Sequence, residues 1–177
     1  MIRSILSALV STSLLFVPYL FAQGPGAVAG TSGCGAPEIK FDVNPDKEQR
    51  NALPETGKAL VYFIEDDSNF ASRPRPTTRV GIDGTWVGAN HGNSYFHVAV
   101  DPGVHHLCAS WQSAAILWHG RQTAAAHFTA EPGAVYYFEV RNEAQESGIR
   151  MDFFPIDSDE GQLLEKKFSH SSIIQKK

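Results

Sequence analysis

Short apolar runs, each bounded by residues that favour tight turns, constrain this chain most. Asp83-Gly84 lies between apolar pairs, as in two-residue hairpins, and Asp101-Pro102-Gly103 and Glu131-Pro132-Gly133 are further turn signals. Strands of this length and spacing predict a mainly β fold, an antiparallel β-sandwich or small barrel of about seven to eight strands. The runs are KALVYFIE (58–65), TTRVGIDGTWVGA (77–89), NSYFHVAV (93–100), VHHLCASW (104–111), RQTAAAHFTA (121–130), AVYYFEVRN (134–142) and RMDFFPI (150–156).

The densest run, 58–65, indicates a central strand that is covered on both faces. The alternation within the runs predicts a buried core that includes Leu60, Phe63, Val98, Leu107, Tyr136 and Phe138.

Near its end the chain changes character. Asp157 precedes Glu160 by three residues, as in a capping box, and Leu163, Leu164 and Phe168 recur at helical spacing. This pattern predicts one short C-terminal helix that packs on the sheet. We expect a sandwich domain over 54–168 and a flexible tail over 169–177.

The first segment is typical of a secretory signal peptide. A basic residue, Arg3, precedes an apolar run over 5–21 that Pro18 breaks near its end, and Ala22 offers a small residue for cleavage. We therefore expect residues 1–22 to be removed, no transmembrane segment after cleavage, and a periplasmic or secreted protein; an uncleaved anchor is the alternative. A Gly/Pro-rich segment, 23–53, then precedes the core.

Exactly two cysteines, Cys34 and Cys108, accompany this export signal. In an oxidising compartment they predict one disulfide, which ties the N-terminal segment to the core. Two free thiols are the alternative, as is acylation of Cys34, which follows small residues but lies far behind the apolar run.

The chain has no sequence pattern typical of a catalytic site. Its net charge of −4 gives no basic face for nucleic acid. No GxSxG, HExxH or phosphate-binding glycine loop occurs, so we predict a non-enzyme without a cofactor. Asp66, Asp67 and Asn69 lack the glycine and distal glutamate of an EF-hand.

Adjacent His105 and His106 point to opposite faces of a strand, so they cannot share a metal ion. The turn at 101–103 predicts that the strands before and after it are neighbours, which would bring His97 close to His105 or His106. We therefore predict a non-catalytic binding or cell-envelope accessory module. A metal-binding or metalloenzyme domain that uses His97 and His106 is the alternative.

One connecting segment, SAAILWHG (113–120), breaks the rule that loops are polar. Its Ile116, Leu117 and Trp118 either pack on the protein's own core or form a partner-binding patch. We expect an envelope protein or a glycan as the partner. A carbohydrate-binding module is a further alternative, with Trp86, Tyr95 or Trp118 as stacking platforms.

Four motifs together resemble a known bacterial family. They are PETGKALVYFIEDD, VGIDGTWVG, GNSYFHVAVDPGVHHLCASW and FTAEPGAVYYFEV, which occur in this order over residues 54–156. This part of the chain is similar to the domain of unknown function 2846 family. The resemblance implies an exported or envelope-associated β-rich domain, and it implies no catalytic residues. Many relatives resemble lipoproteins, an arrangement from which the remote Cys34 departs.

Overall fold

The computed structural model describes residues 34–46, 48, 52–70, 75–112, 122–146 and 148–176. They form ten strands in two sheets and one helix, α1 (Ser158–Lys167). The six-stranded sheet contains β1 (Phe41–Asp46), β2 (Ala59–Asp66), β5 (Ser94–Val100), β8 (Val135–Gln145), β9 (Gly148–Ile156) and β10 (Ser169–Gln175), in the order β1-β10-β5-β2-β8-β9. The four-stranded sheet contains β3 (Thr77–Ile82), β4 (Thr85–His91), β6 (Gly103–Trp111) and β7 (Thr123–Ala130), in the order β4-β3-β6-β7.

The predicted fold class is confirmed: the protein is a β-sandwich with one short helix near its C-terminal end. Two details differ from the expectation. The described residues form ten strands, and the six-stranded sheet is mixed, because β2 pairs in parallel with β8 and β10 pairs in parallel with β5. As predicted, β2 is central, and all of its residues but the last are buried.

The main core fills the space between the two sheets. Of the six predicted core residues, Leu60, Phe63, Leu107 and Phe138 are buried, although Leu60 faces the helix instead of the other sheet. Val98 and Tyr136 are only partly buried, but both pack against the main core. The alternation in each run therefore identified the inward-facing positions of β5, β6 and β8.

The Asp83-Gly84 hairpin is confirmed. It joins β3 to β4, and both turn residues have positive φ, 49° at Asp83 and 83° at Gly84. Aspartate and glycine are among the residues that adopt this left-handed conformation most readily, which explains why the dipeptide predicts the turn so well.

The two Pro-Gly turns do not form hairpins. The turn at 101–103 takes the chain from β5, in the six-stranded sheet, to β6, in the four-stranded sheet, and the turn at 131–133 takes it back from β7 to β8. The prediction that β5 and β6 are neighbouring strands is therefore wrong. A turn signal marks where a strand ends, but the packing of both sheets decides which sheet receives the next strand.

Helix α1 covers part of the outer face of the six-stranded sheet. Asp157 caps it, and the side chain accepts hydrogen bonds from the backbone N–H groups of Asp159 and Glu160. Gly161 lies directly on Tyr137, where an added Cβ atom would clash with the ring. Among the residues that the structure describes, no helix is long and apolar enough to cross a membrane.

Most of the predicted flexible tail, 169–177, forms a strand instead. Residues 169–175 form β10, which pairs with β1 along its length and with β5 at its start. The segment 23–53 also contributes a strand, β1, which includes Pro45. An edge strand is where proline is tolerated, because one side of its backbone makes no ladder hydrogen bonds.

Candidate functional site

The Cys34–Cys108 disulfide is present, with a Cα–Cα distance of 5.0 Å. Cys34 is the first residue of an N-terminal strap, residues 34–40, and the disulfide fixes it to β6. The strap lies across the outer face of the four-stranded sheet before the chain enters β1. At the far end of the strap, Gln112 accepts a hydrogen bond from the Phe41 N–H and donates to the Phe41 carbonyl at 3.0 Å. Because the Cys34 sulfur is bonded to Cys108 in the disulfide, it is not available for acylation.

Arg79 and Trp86 hold the middle of the strap. The Arg79 guanidinium is almost completely buried and donates to the Pro37 carbonyl at 3.1 Å and to the Ile39 carbonyl. It also lies 4.2 Å from the centre of the Trp86 ring, whose Nε1 donates to the Ala36 carbonyl at 2.8 Å. This role was not predictable from the sequence, because an arginine at an outward position of a strand is normally exposed.

His105 and Asp83 join the β3–β4 turn to β6. The His105 Nδ1 lies 2.7 Å from Asp83 Oδ2, and its Nε2 lies 2.8 Å from the Asp101 carbonyl. Burial works to lower the pKa of His105, but these acceptors and the Asp83 charge outweigh it, and the pKa is raised. Burial works to raise the pKa of Asp83, but the hydrogen bonds from the His106 N–H and the His105 ring outweigh burial, and the pKa is lowered.

Two carboxyl groups lie between the sheets, where neither has exposed surface. Glu65 accepts from Thr78 Oγ1 and from Asn142 Nδ2, and the same Nδ2 donates to Asp67 at 2.9 Å. Burial, and then the negative charge of Asp67, raises the pKa of Glu65 well above its ordinary value. Burial also raises the pKa of Asp67.

Trp111 fixes the orientation of this interior group, because its Nε1 donates to Asn142 Oδ1 at 3.2 Å. The amide of Asn142 therefore points its nitrogen at both carboxyl groups. One oxygen of each, Glu65 Oε2 and Asp67 Oδ2, has no hydrogen-bond partner among the described residues. Sequence reasoning missed this group because Glu65 and Asp67 stand at the end of a strand, where acidic residues are normally solvated.

The structure does not bring His97 and His106 together. His97 lies on β5, and its ring contacts those of Tyr62 and His170 on the outer side of the six-stranded sheet. His106 lies on β6 in the other sheet, directly opposite His127 of β7. Within the described part of the chain, no three His, Cys, Asp or Glu side chains converge as metal ligands.

The expected sugar platforms are poorly placed. Tyr95 has no exposed surface and cannot stack on a sugar, and one face of Trp86 carries the Arg79 guanidinium. The predicted partner patch, Ile116, Leu117 and Trp118, lies outside the described residues, as does the predicted signal peptide, 1–22.

Comparison with known proteins gave no relative: neither a family model nor a curated protein matches this chain.

Proposed function

We propose that this chain is a non-catalytic binding or cell-envelope accessory module that works outside the cytoplasm. The observation that carries the proposal is the position of Glu65 and Asp67, which lie between the two sheets without exposed surface. A substrate cannot reach them there. A second pair with perturbed pKa values, His105 and Asp83, fastens a turn to a strand. These polar groups therefore serve the fold.

The disulfide supports the proposed location. Cytosolic thiols are kept reduced, whereas disulfides persist in exported proteins. The bond from Cys34 to Cys108 joins residues 74 positions apart and fixes the start of the strap to the middle of a sheet. Together with the signal-peptide pattern of residues 1–22, it favours a periplasmic or secreted protein.

The proposed contact residues are Ile116, Leu117 and Trp118, which follow β6 and precede β7 in the chain. Three large apolar side chains in a connecting segment are typical of a covered surface, and tryptophan is enriched among the residues that dominate binding energy. We propose an envelope protein or a glycan as the partner. The resemblance to the domain of unknown function 2846 family supports the same assignment.

The experiment compares wild type with Trp118→Ala and, as a matched control, Leu163→Ala, which removes an exposed apolar side chain from α1. Each protein is expressed with its export signal in the source organism, cross-linked in intact cells and purified from envelope extracts, and the same three proteins are applied to a glycan array. We expect one adduct or one glycan signal that Trp118→Ala abolishes and Leu163→Ala retains, with unchanged melting temperatures.

Three results would overturn the proposal. A large fall in the melting temperature of Trp118→Ala would show that Trp118 belongs to the core. Equal capture of the partner by all three proteins would show that Trp118 does not bind it. Turnover of an envelope substrate that is lost in Glu65→Gln, with the fold intact, would show that the protein is an enzyme.

A further inference from the structure

We propose that His106 and His127 form a two-histidine binding site for a divalent transition metal ion, Cu²⁺ or Zn²⁺, on the outer face of the four-stranded sheet. The two residues are direct partners in the antiparallel pairing of β6 with β7, and both side chains are exposed. The proposal is independent of the proposed partner-binding function, because it involves none of the proposed contact residues, Ile116, Leu117 and Trp118.

The backbone hydrogen bonds show which kind of pair this is. The His106 N–H donates to Asp83 Oδ1 at 2.8 Å, and the His106 carbonyl accepts from the Asp83 N–H at 2.9 Å. Both groups therefore point towards the β3–β4 turn and away from β7. His106 and His127 are thus a non-hydrogen-bonded pair, the type in which facing Cα atoms are about 4.5 Å apart and the side chains lie closest.

This spacing suits chelation by two imidazoles. Directly opposed side chains have Cβ atoms about 4.5–5.5 Å apart, and an imidazole nitrogen binds zinc at about 2.0–2.1 Å. Rotation about the two side-chain bonds of each histidine allows one nitrogen from each ring to reach a common ion above the sheet. The backbone is held in place from below, because the neighbouring Leu107 is fully buried.

The surroundings leave room for the remaining ligands. On this face of the sheet the pair is flanked by Val104 and Thr129 on one side and by Cys108 and Ala125 on the other. The Cys108 sulfur is in the disulfide and does not compete as a ligand. Val104, Ala125 and Thr129 are exposed, so water can complete the coordination shell.

The choice of metal follows from the donors. Neutral imidazole suits zinc, copper and nickel, and among divalent first-row ions Cu²⁺ binds nitrogen sites most tightly. Two protein ligands make an open site from which the ion can exchange, in contrast to a closed structural zinc centre.

The test uses full-length mature protein without a histidine tag and with its disulfide intact. Cu²⁺, and separately Zn²⁺, is titrated into wild type, His106→Ala, His127→Ala and the double variant, with heat of binding and copper electron paramagnetic resonance as readouts. The matched control is His91→Ala, which removes an exposed histidine of β4. Circular dichroism confirms that every variant is folded.

We expect one ion per chain, bound by two imidazole nitrogens in wild type and in His91→Ala. Because the second ligand binds intramolecularly, either single substitution should weaken affinity at least about tenfold, and the double variant should be little worse than the single variants. Metal should raise the melting temperature of wild type and not that of the double variant. Equal affinity in all variants, or one coordinated imidazole in wild type, would overturn the proposal.

Discussion

The Nδ1 atom of His105 lies 2.7 Å from the Oδ2 atom of Asp83, so the β3–β4 turn is fastened to β6 by a histidine–carboxylate pair. The other ring nitrogen lies 2.8 Å from the Asp101 carbonyl. Both nitrogens therefore face acceptors, and the arrangement favours the protonated ring. This pair makes the stability of the sandwich depend on pH.

The direction of the His105 pKa shift determines how the stability of the fold changes with pH. Because it is raised in the folded protein, the pair stabilises the fold fully below the ordinary value of about 6.5, and the contribution is lost as pH rises through the higher folded value. Asp83→Asn retains a residue that tolerates positive φ but removes the charge. Urea unfolding of wild type between about pH 6 and pH 8 should show a decline in stability that Asp83→Asn reduces. Identical slopes would contradict this assignment.

Glu65 gives a second pH prediction. Its pKa is raised in the folded state by burial and then by Asp67, so its contribution is present below the ordinary carboxyl range and is lost as pH rises through the folded value. Glu65→Gln removes the cost of a buried charge. Relative to wild type, the variant should gain stability as pH increases from about 5 to about 8, measured by urea unfolding. The control is Glu131→Gln, at an exposed turn, and no gain over wild type at the higher pH would contradict the prediction.

Leu107 tests the register of β6. It has no exposed surface and belongs to the main core, so Leu107→Ala should lower the free energy of unfolding by about 2–5 kcal/mol. Val104→Ala is the control on the same strand, because Val104 is 63% exposed; it should cost less than about 0.5 kcal/mol. Chemical denaturation measures both, and a small loss at Leu107 would place this residue on the surface.

Arg79 tests the attachment of the strap. Lysine cannot reproduce the planar contact with Trp86 and the paired donation to Pro37 and Ile39, so Arg79→Lys should cost about 1–3 kcal/mol and speed amide hydrogen exchange near the strap. Arg150→Lys is the matched control, because Arg150 forms an exposed pair with Asp152. Equal effects of the two substitutions on the urea midpoint would show that Arg79 does not help to hold the strap.

Local chemistry made the hairpin, the central strand and the helix start predictable. Asp83-Gly84 adopts positive φ, β2 is apolar throughout, and Asp157 caps α1, and each of these needs only neighbouring residues. Pairing between strands that are far apart in the chain was harder to predict from local sequence patterns. The segment 169–175 has little apolar alternation, and it became a strand because β1 and β5 supply hydrogen bonds on both sides.

The candidate sites were harder still to predict, because their residues meet only through contacts between segments that are far apart in the chain. His106 meets His127 only because β6 pairs with β7, whereas a hairpin between β5 and β6 would have placed it near His97. The burial of Arg79 likewise requires the strap, which is fixed by a cysteine 74 positions from its partner. The cysteine pairing itself was predictable, because two cysteines in an exported chain allow one intramolecular bond.

We propose an extracytoplasmic module whose N-terminal strap is fixed to the four-stranded sheet by the disulfide between Cys34 and Cys108. The most direct test is the thiol state of the native protein. Cells of the source organism are quenched in acid and alkylated before and after reduction, and the intact mass is measured. We predict a chain without its first 22 residues and with no alkylated cysteine until reductant is added. Two cysteines alkylated without reductant, in a chain that retains residues 1–22, would contradict the account.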